Sequence, residues 1–181
     1  MTGEIRDFNC NSWNCPVCVP KIAWKYACRV AYARPERMIT LTNVPHDRQK
    51  ARLAWIQLAR DIRAKTPFEY AKFVEVGHKT GMLHWHLAEV GGYIPQRWLS
   101  ARAEANGLGK IVDIRKCYGE GPSFYLSKYI TKEGAPVDWR KVSFSRGFPR
   151  AVPMPANDDW QLRGPKKKLR WDDDDLQLQR N

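Results

Sequence analysis

LHWHLAEV, from Leu83 to Val90, follows YAKFVEV, from Tyr70 to Val76, after a short connection that contains Gly81. Both runs are rich in β-branched and aromatic residues, which favours strands. A short connection with a glycine between two such runs is typical of a β-hairpin. We therefore predict that these two stretches are paired antiparallel strands.

The segments around this hairpin alternate between strand and helix patterns. A strand-like run, RMITLTN, and a helix with apolar residues at helical spacing precede it, and a helix opening at Pro95, a strand and a further helix follow it. The predicted ranges are 37–43, 47–65, 95–106, 111–115 and 123–131, with a short edge strand at 142–145. The order β-α-β-β-α-β predicts an α+β fold of the ferredoxin-like or RRM-like kind, an antiparallel sheet with helices on one face.

Three parts of the chain differ in composition. Residues 1–36 are rich in cysteine, residues 37–146 carry the predicted sheet, and residues 147–181 contain prolines, a basic run and four successive aspartates. We predict a zinc-binding N-terminal segment, one folded domain and a tail that is mobile or ordered by a partner.

The chain is strongly basic. Its 181 residues contain 31 Lys and Arg against 19 Asp and Glu, for a formal net charge of +12. Such a charge favours a polyanionic partner, and nucleic acid is the first candidate. No apolar run approaches the roughly 18 residues that a membrane helix needs, and MTGEIRDFN lacks the apolar core of a signal peptide. We expect no membrane partner and a cytoplasmic location.

Cys10, Cys15 and Cys18 lie in the run CNSWNCPVC, which ends in a C-P-x-C turn. Two thiolates of such a turn can bind one ion, and a structural zinc site needs four ligands in all. We expect Zn²⁺ on these three cysteines. Cys28 is the first choice for the fourth ligand and His46 the second.

His84 and His86 are two residues apart in a predicted strand, so their side chains project from the same face. Glu75 falls roughly opposite them on the partner strand of the hairpin. Two imidazoles and a carboxylate suit Mn²⁺ or Mg²⁺ and leave positions for phosphate oxygens. His78 is a weaker candidate because it lies closer to the turn, and Glu89 has the wrong strand parity.

The run FYLSKYITK, from Phe124 to Lys132, places Tyr125 and Tyr129 four residues apart, which is one face of a helix. A lysine follows each tyrosine by three positions, at Lys128 and Lys132. A phenolate can attack a phosphodiester and retain the strand as a phosphotyrosine ester. Because phenol titrates near pH 10, a nearby lysine is needed to stabilise the phenolate. We favour Lys128 for this role, with Lys132 as the alternate.

The strand ITLT, the His-x-His strand and the tyrosine helix, in this order, resemble the motifs of the HUH endonuclease superfamily. The doubled string YLSKYITK is most similar to rolling-circle replication initiators of the two-tyrosine bacteriophage and plasmid type. Many members of that family also carry a cysteine knuckle with C-P-x-C ahead of the first motif.

The resemblance implies an enzyme that nicks and joins single-stranded DNA at an origin hairpin. It implies a covalent 5′-phosphotyrosine intermediate and a free 3′-hydroxyl that primes a DNA polymerase of a bacterial or archaeal host. Tyr125 and Tyr129 would alternate as nucleophiles, although some members use only one. No Walker A string is present in the sequence, so a host helicase is an expected partner.

Two other functions stay open. A two-tyrosine transposase or a relaxase uses the same chemistry, although relaxases usually present a third histidine close to the pair. A non-catalytic, zinc-stabilised module that binds single-stranded nucleic acid would also fit a ferredoxin-like sheet and the eight tryptophans of the chain.

Overall fold

The structure is a computed structural model that describes residues 10–13, 15–77, 80–117 and 139–150. Within these ranges the chain forms three helices and five strands. They are α1 (Cys18–Ala33), β1 (Arg37–Val44), α2 (Arg48–Lys65), β2 (Phe68–Val76), β3 (Leu83–Gly91), α3 (Gln96–Ala105), β4 (Val112–Lys116) and β5 (Val142–Phe144). The strands form one antiparallel sheet in the order β4-β1-β3-β2-β5. The predicted α+β class with an antiparallel sheet is confirmed.

Local sequence signals explain where α2 begins and where the chain turns between β2 and β3. The Asp47 carboxylate accepts a hydrogen bond from the backbone N–H of Lys50 and caps α2. Gly81 adopts a φ of +67° in the turn between β2 and β3, where a left-handed conformation favours glycine. The hairpin therefore has the register in which Glu75 pairs with His84.

One face of the sheet is covered by α2 and α3. Apolar residues of the two central strands point toward this face and are almost fully buried: Ile39 and Leu41 of β1, and Leu83, Trp85 and Leu87 of β3. They pack against apolar side chains of the two helices, including Leu58 and Leu99. The main core of the protein lies in this layer.

The opposite face is covered in part by α1. Ala23 and Val30 of this helix pack with Ala71 and Phe73 of β2. Helices thus lie on both faces, whereas the sequence placed α2 and α3 on one face and left α1 in a separate N-terminal segment. The segment folds onto the sheet because α1 presents small and β-branched residues to it.

The second core layer also includes Phe148, which is buried although the tail was predicted to begin at residue 147. The Arg29 guanidinium of α1 lies 3.6 Å from the centre of the Phe144 ring and contacts the carbonyl of Pro149. These contacts tie residues up to 149 to the fold. The predicted helix at 123–131 and the chain from 151 onward lie outside the described residues.

The helices in the described ranges are too short or too polar to cross a membrane.

Candidate functional site

His84 and His86 lie on the sheet face that carries α1, because their strand parity is opposite to that of Trp85. Glu75 is the direct cross-strand partner of His84, and Phe73 is the partner of His86. Thr40 of β1 pairs with His86 from the other side. The hairpin register therefore brings the two histidines and Glu75 to one face, as the sequence indicated.

His86 is held by two hydrogen bonds and is 6% exposed. Its Nε2 lies 2.8 Å from Oε2 of Glu75, and its Nδ1 lies 3.1 Å from Oγ1 of Thr40. A neutral ring that donates from Nε2 to the carboxylate accepts at Nδ1 from the threonine hydroxyl. Both nitrogens of His86 are thus engaged by β1 and β2 side chains.

His84 lies next to this chain of contacts without joining it. Its ring centre is 6.4 Å from that of His86, and the two ring planes are 22° apart. Burial lowers the pKa of His84, His86 lowers it further, and Glu75 opposes both effects. The His84 ring sits against the turn, since a Cβ added to Gly77 would lie 3.1 Å from its Nε2. The neutral ring is the form that can bind a metal ion.

The donor atoms of the predicted divalent-metal site, Glu75, His84 and His86, do not all converge in the described part of the chain. Among the described residues, the group of metal-ligating side chains whose donor atoms all converge within 4.8 Å consists of cysteines and does not include Glu75, His84 or His86. The Glu75 carboxylate is hydrogen-bonded to Nε2 of His86. The donor set still suits Mn²⁺ or Mg²⁺ chemically, since carboxylate and imidazole are accepted ligands. Binding would require His86 to exchange one hydrogen bond for an ion.

The cysteine cluster is assembled as predicted. The Sγ atoms of Cys10, Cys15 and Cys18 all lie within 4.8 Å of one another, and those of Cys10 and Cys18 are 3.5 Å apart. A backbone hydrogen bond from Cys18, at the start of α1, is the main cause that lowers the pKa of Cys15 to about 7. A thiolate at neutral pH is the form that binds zinc. The three thiols can therefore hold a metal such as Zn²⁺.

Cys28 does not belong to this cluster, so it does not supply the predicted fourth ligand. Cys18 and Cys28 lie in the same helix, and ten residues of helical rise separate them by about 15 Å. Burial raises the pKa of Cys28, which keeps it a thiol. His46, the second choice, is exposed after β1 and is not part of the cluster either.

The predicted catalytic residues of the tyrosine helix lie outside the described residues. These are Tyr125, Lys128, Tyr129 and Lys132, and the weaker metal candidate His78 is outside as well. The described chain ends at Cys117 beyond β4 and resumes at Trp139 before β5. The strands β4 and β5, which precede and follow this gap, are the two edge strands of the sheet.

Two features of the central sheet, one on each face, were not predicted from the sequence. Thr40 belongs to the ITLT run, which was interpreted as a strand and as the first motif of the family resemblance, with no role given to this side chain; it pairs with His86. Lys72 lies on the other face, with Nζ 4.4 Å from the ring centre of Trp55 and 4.0 Å from that of Trp85. Burial lowers the pKa of Lys72 to about 7. No sequence signal separates Lys72 from the many exposed lysines of the chain.

Glu89 lies on the α2 side of the sheet, as its parity predicted, and is fully buried. Its Oε2 accepts a hydrogen bond of 2.8 Å from Arg37. Burial raises the pKa of Glu89, and Arg37 opposes this rise. This ion pair belongs to the core and not to the histidine face.

Comparison with known proteins gives no relative, because no protein family, curated protein or solved structure matches the chain.

Proposed function

We propose that this protein nicks and joins single-stranded DNA at a replication origin through a covalent tyrosine intermediate. The observation that carries the proposal is the gathering of Glu75, His84 and His86 on one face of two central strands. The formal net charge of +12 supports a nucleic-acid substrate.

The topology supports the proposal in a second way. From β1 to β4 the elements follow one another in the order β-α-β-β-α-β, which is the order of ferredoxin-like proteins. The histidine face is the one that α2 and α3 leave free.

In the proposed reaction each side chain of the site has one role. The phenol oxygen of Tyr125 or Tyr129 forms a bond to phosphorus while the bond to the 3′-oxygen breaks, and the phenol proton ends on that leaving oxygen. Lys128, with Lys132 as the alternate, stabilises the phenolate. Glu75, His84 and His86 would hold Mn²⁺ or Mg²⁺, which when bound neutralises charge on the scissile phosphate. Thr40 fixes the orientation of the His86 ring.

The test is a covalent adduct between the protein and labelled single-stranded hairpin DNA, detected on a denaturing gel in the presence of Mn²⁺. We expect an adduct that is lost in the double variant Tyr125→Phe with Tyr129→Phe. Tyr93→Phe is the matched control, because Tyr93 is an exposed tyrosine at 72% exposure and should leave the adduct unchanged. Tight binding without an adduct on any hairpin probe would show that the enzyme proposal is wrong.

The single variants separate one nucleophile from two. If both tyrosines act, each single Phe variant retains part of the cleavage. Complete loss from one of them alone identifies the single-nucleophile regime. Priming by a host polymerase and unwinding by a host helicase are further parts of the proposal, and a 3′-hydroxyl at the nick that a polymerase extends would support them.

A second candidate function is a non-catalytic, zinc-stabilised module that binds single-stranded nucleic acid. The observation in its favour is that both ring nitrogens of His86 already have protein partners, as in a structural histidine. This candidate predicts that binding survives the loss of both tyrosines and needs no divalent ion. A binding isotherm of the double tyrosine variant with and without chelator decides between the two functions.

A further inference from the structure

The helix α2 carries an unusual distribution of charge. It contains six basic residues and a single acidic one. Arg52, Arg60 and Arg63 are exposed, and at about 100° per residue they fall within an arc of about 80° of the helix surface. The exposed Ile56 lies inside the same arc. The outer face of α2 is thus a row of arginines along a rigid, half-buried helix.

The acidic residue of α2 is turned away from this row. Asp61 accepts hydrogen bonds of 3.0 Å from both Gln57 and Asn106, the residue that caps α3. These bonds, that from Asn106 first, lower the pKa of Asp61. In the described part of the chain, no carboxylate lies within 4.0 Å of the guanidinium groups of the row. Arg63 lies 5.9 and 5.8 Å from the ring centres of Phe68 and Tyr70, so its guanidinium is partly engaged within the protein. The row nevertheless keeps its positive charge uncompensated by carboxylates and available to an external partner.

The composition of the row distinguishes the kind of nucleic acid. Surfaces that bind single strands combine positive charge with aromatic rings on which the bases stack. The one aromatic residue of α2 is Trp55, which is 6% exposed and lies in the core. The rings beside Arg63 belong to Phe68, which is buried, and Tyr70, which is half-buried, so the row can contact backbone phosphates but offers no exposed stacking platform. Such a surface fits a duplex, whose phosphates are regularly spaced and whose bases are already stacked.

The dimensions agree with this reading. The eleven residue steps from Arg52 to Arg63 span about 16 Å of helix, which corresponds to about five base pairs at 3.4 Å each. The row also lies on the sheet face opposite to His84 and His86. A duplex on α2 and a single strand at the histidines would occupy different sides of the protein.

We propose that the outer face of α2 binds the backbone phosphates of double-stranded DNA, independently of the histidine face. This surface goes beyond the proposed nicking activity, because its binding requires neither the tyrosines nor a divalent ion.

The experiment measures the salt dependence of duplex binding by fluorescence anisotropy with the full chain and a labelled duplex of 20 base pairs. The test variant replaces the three arginines of the row with glutamine. Each phosphate contact contributes about 0.9 to the slope of log K against log salt, so the slope should fall by about 2.7 in magnitude. The control variant removes the same charge from exposed residues outside α2: Lys25→Gln in α1, and Lys110→Gln and Arg146→Gln in connections between elements. Its slope should fall by less than one.

A third variant, with lysine at the three arginine positions, keeps the charge and should keep the slope, which excludes a folding defect as the cause. Equal slopes for the test and control variants would overturn the proposal, and so would a test variant that binds like the parent. Adduct formation on single-stranded DNA, measured in parallel, should be unchanged in the test variant. Failure of the nicking proposal would remove the adduct from the parent protein while leaving the duplex result as it stands.

Discussion

Replacing Lys72 with methionine should stabilise the protein at neutral pH. The lysine ammonium lies between the rings of Trp55 and Trp85, at 4.4 and 4.0 Å from their centres. Desolvation lowers its pKa from 10.5 to about 7, which corresponds to a cost on the order of 5 kcal/mol for the charged form. Cation–π attraction in a desolvated site is about 2 kcal/mol, so desolvation is the larger effect. Methionine keeps most of the aliphatic stem and removes the charge.

The sign of the pH dependence follows from proton binding. Between about pH 7 and 10.5 the unfolded chain holds a proton on Lys72 that the folded chain has released. Stability of the parent protein therefore rises with pH in this window, by at most about 1.4 kcal/mol per pH unit. From pH 7 to 8.5 the parent should gain roughly 1.6 kcal/mol on this account. The advantage of Lys72→Met, on the order of 3 kcal/mol at pH 7, should shrink by the same amount.

The assay is urea denaturation of parent and variant at pH 7 and 8.5, with zinc held constant, and the quantity of interest is the difference between the two proteins. Taking the difference removes the titration of groups that both proteins share. Lys110→Met, at an exposed position, is the control and should show no pH-dependent difference. The reasoning is refuted if the Lys72→Met difference is the same at both pH values, or if the variant is less stable at pH 7.

Three further predictions concern other parts of the fold. Arg37→Met removes the ion-pair partner of the fully buried Glu89 carboxylate and should lower the free energy of unfolding by about 3 kcal/mol at pH 7. Because burial raises the pKa of Glu89, this loss of stability should be smaller at pH 5. Urea denaturation at both pH values measures the difference. Gly91→Ala should destabilise the fold by several kcal/mol, since its Cβ would lie 2.1 Å from the carbonyl oxygen of Pro67; a melting temperature equal to that of the parent would contradict this. Cys18→Ser, or a zinc chelator acting on the parent, should lower the melting temperature and the bound zinc measured by mass spectrometry, and a chelator without effect on either would remove the zinc assignment.

Local patterns in the sequence were sufficient to predict most elements of the sheet and its helices. The β2–β3 hairpin, for example, follows from two alternating runs and a glycine that adopts positive φ. The same parity rule placed Glu75 and the two histidines on one face and Glu89 on the other. These predictions succeeded because strand parity and hairpin register depend on residues close together in the chain.

Contacts between distant segments could not be predicted in the same way. The packing of α1 on the histidine face depends on how Ala23 and Val30 fit β2, which no local pattern encodes. The hairpin register was predicted correctly, but the hydrogen bond between Glu75 and His86 depends on how these two side chains rotate, which the register does not determine. Cys28 failed as a zinc ligand because spacing in sequence was not converted into distance along a helix.

The position of β3 in the sheet has a consequence for how the histidine site can change. This strand is the third of five and is hydrogen-bonded along its length to β1 on one side and β2 on the other. Backbone amides of such a strand exchange with solvent only when much of the protein opens. His84 and His86 therefore lie on a strand whose backbone hydrogen bonds are among the last to open. Any rearrangement that brings both imidazole rings to one ion must therefore come from rotation about their side-chain bonds, while the backbone of β3 keeps its position.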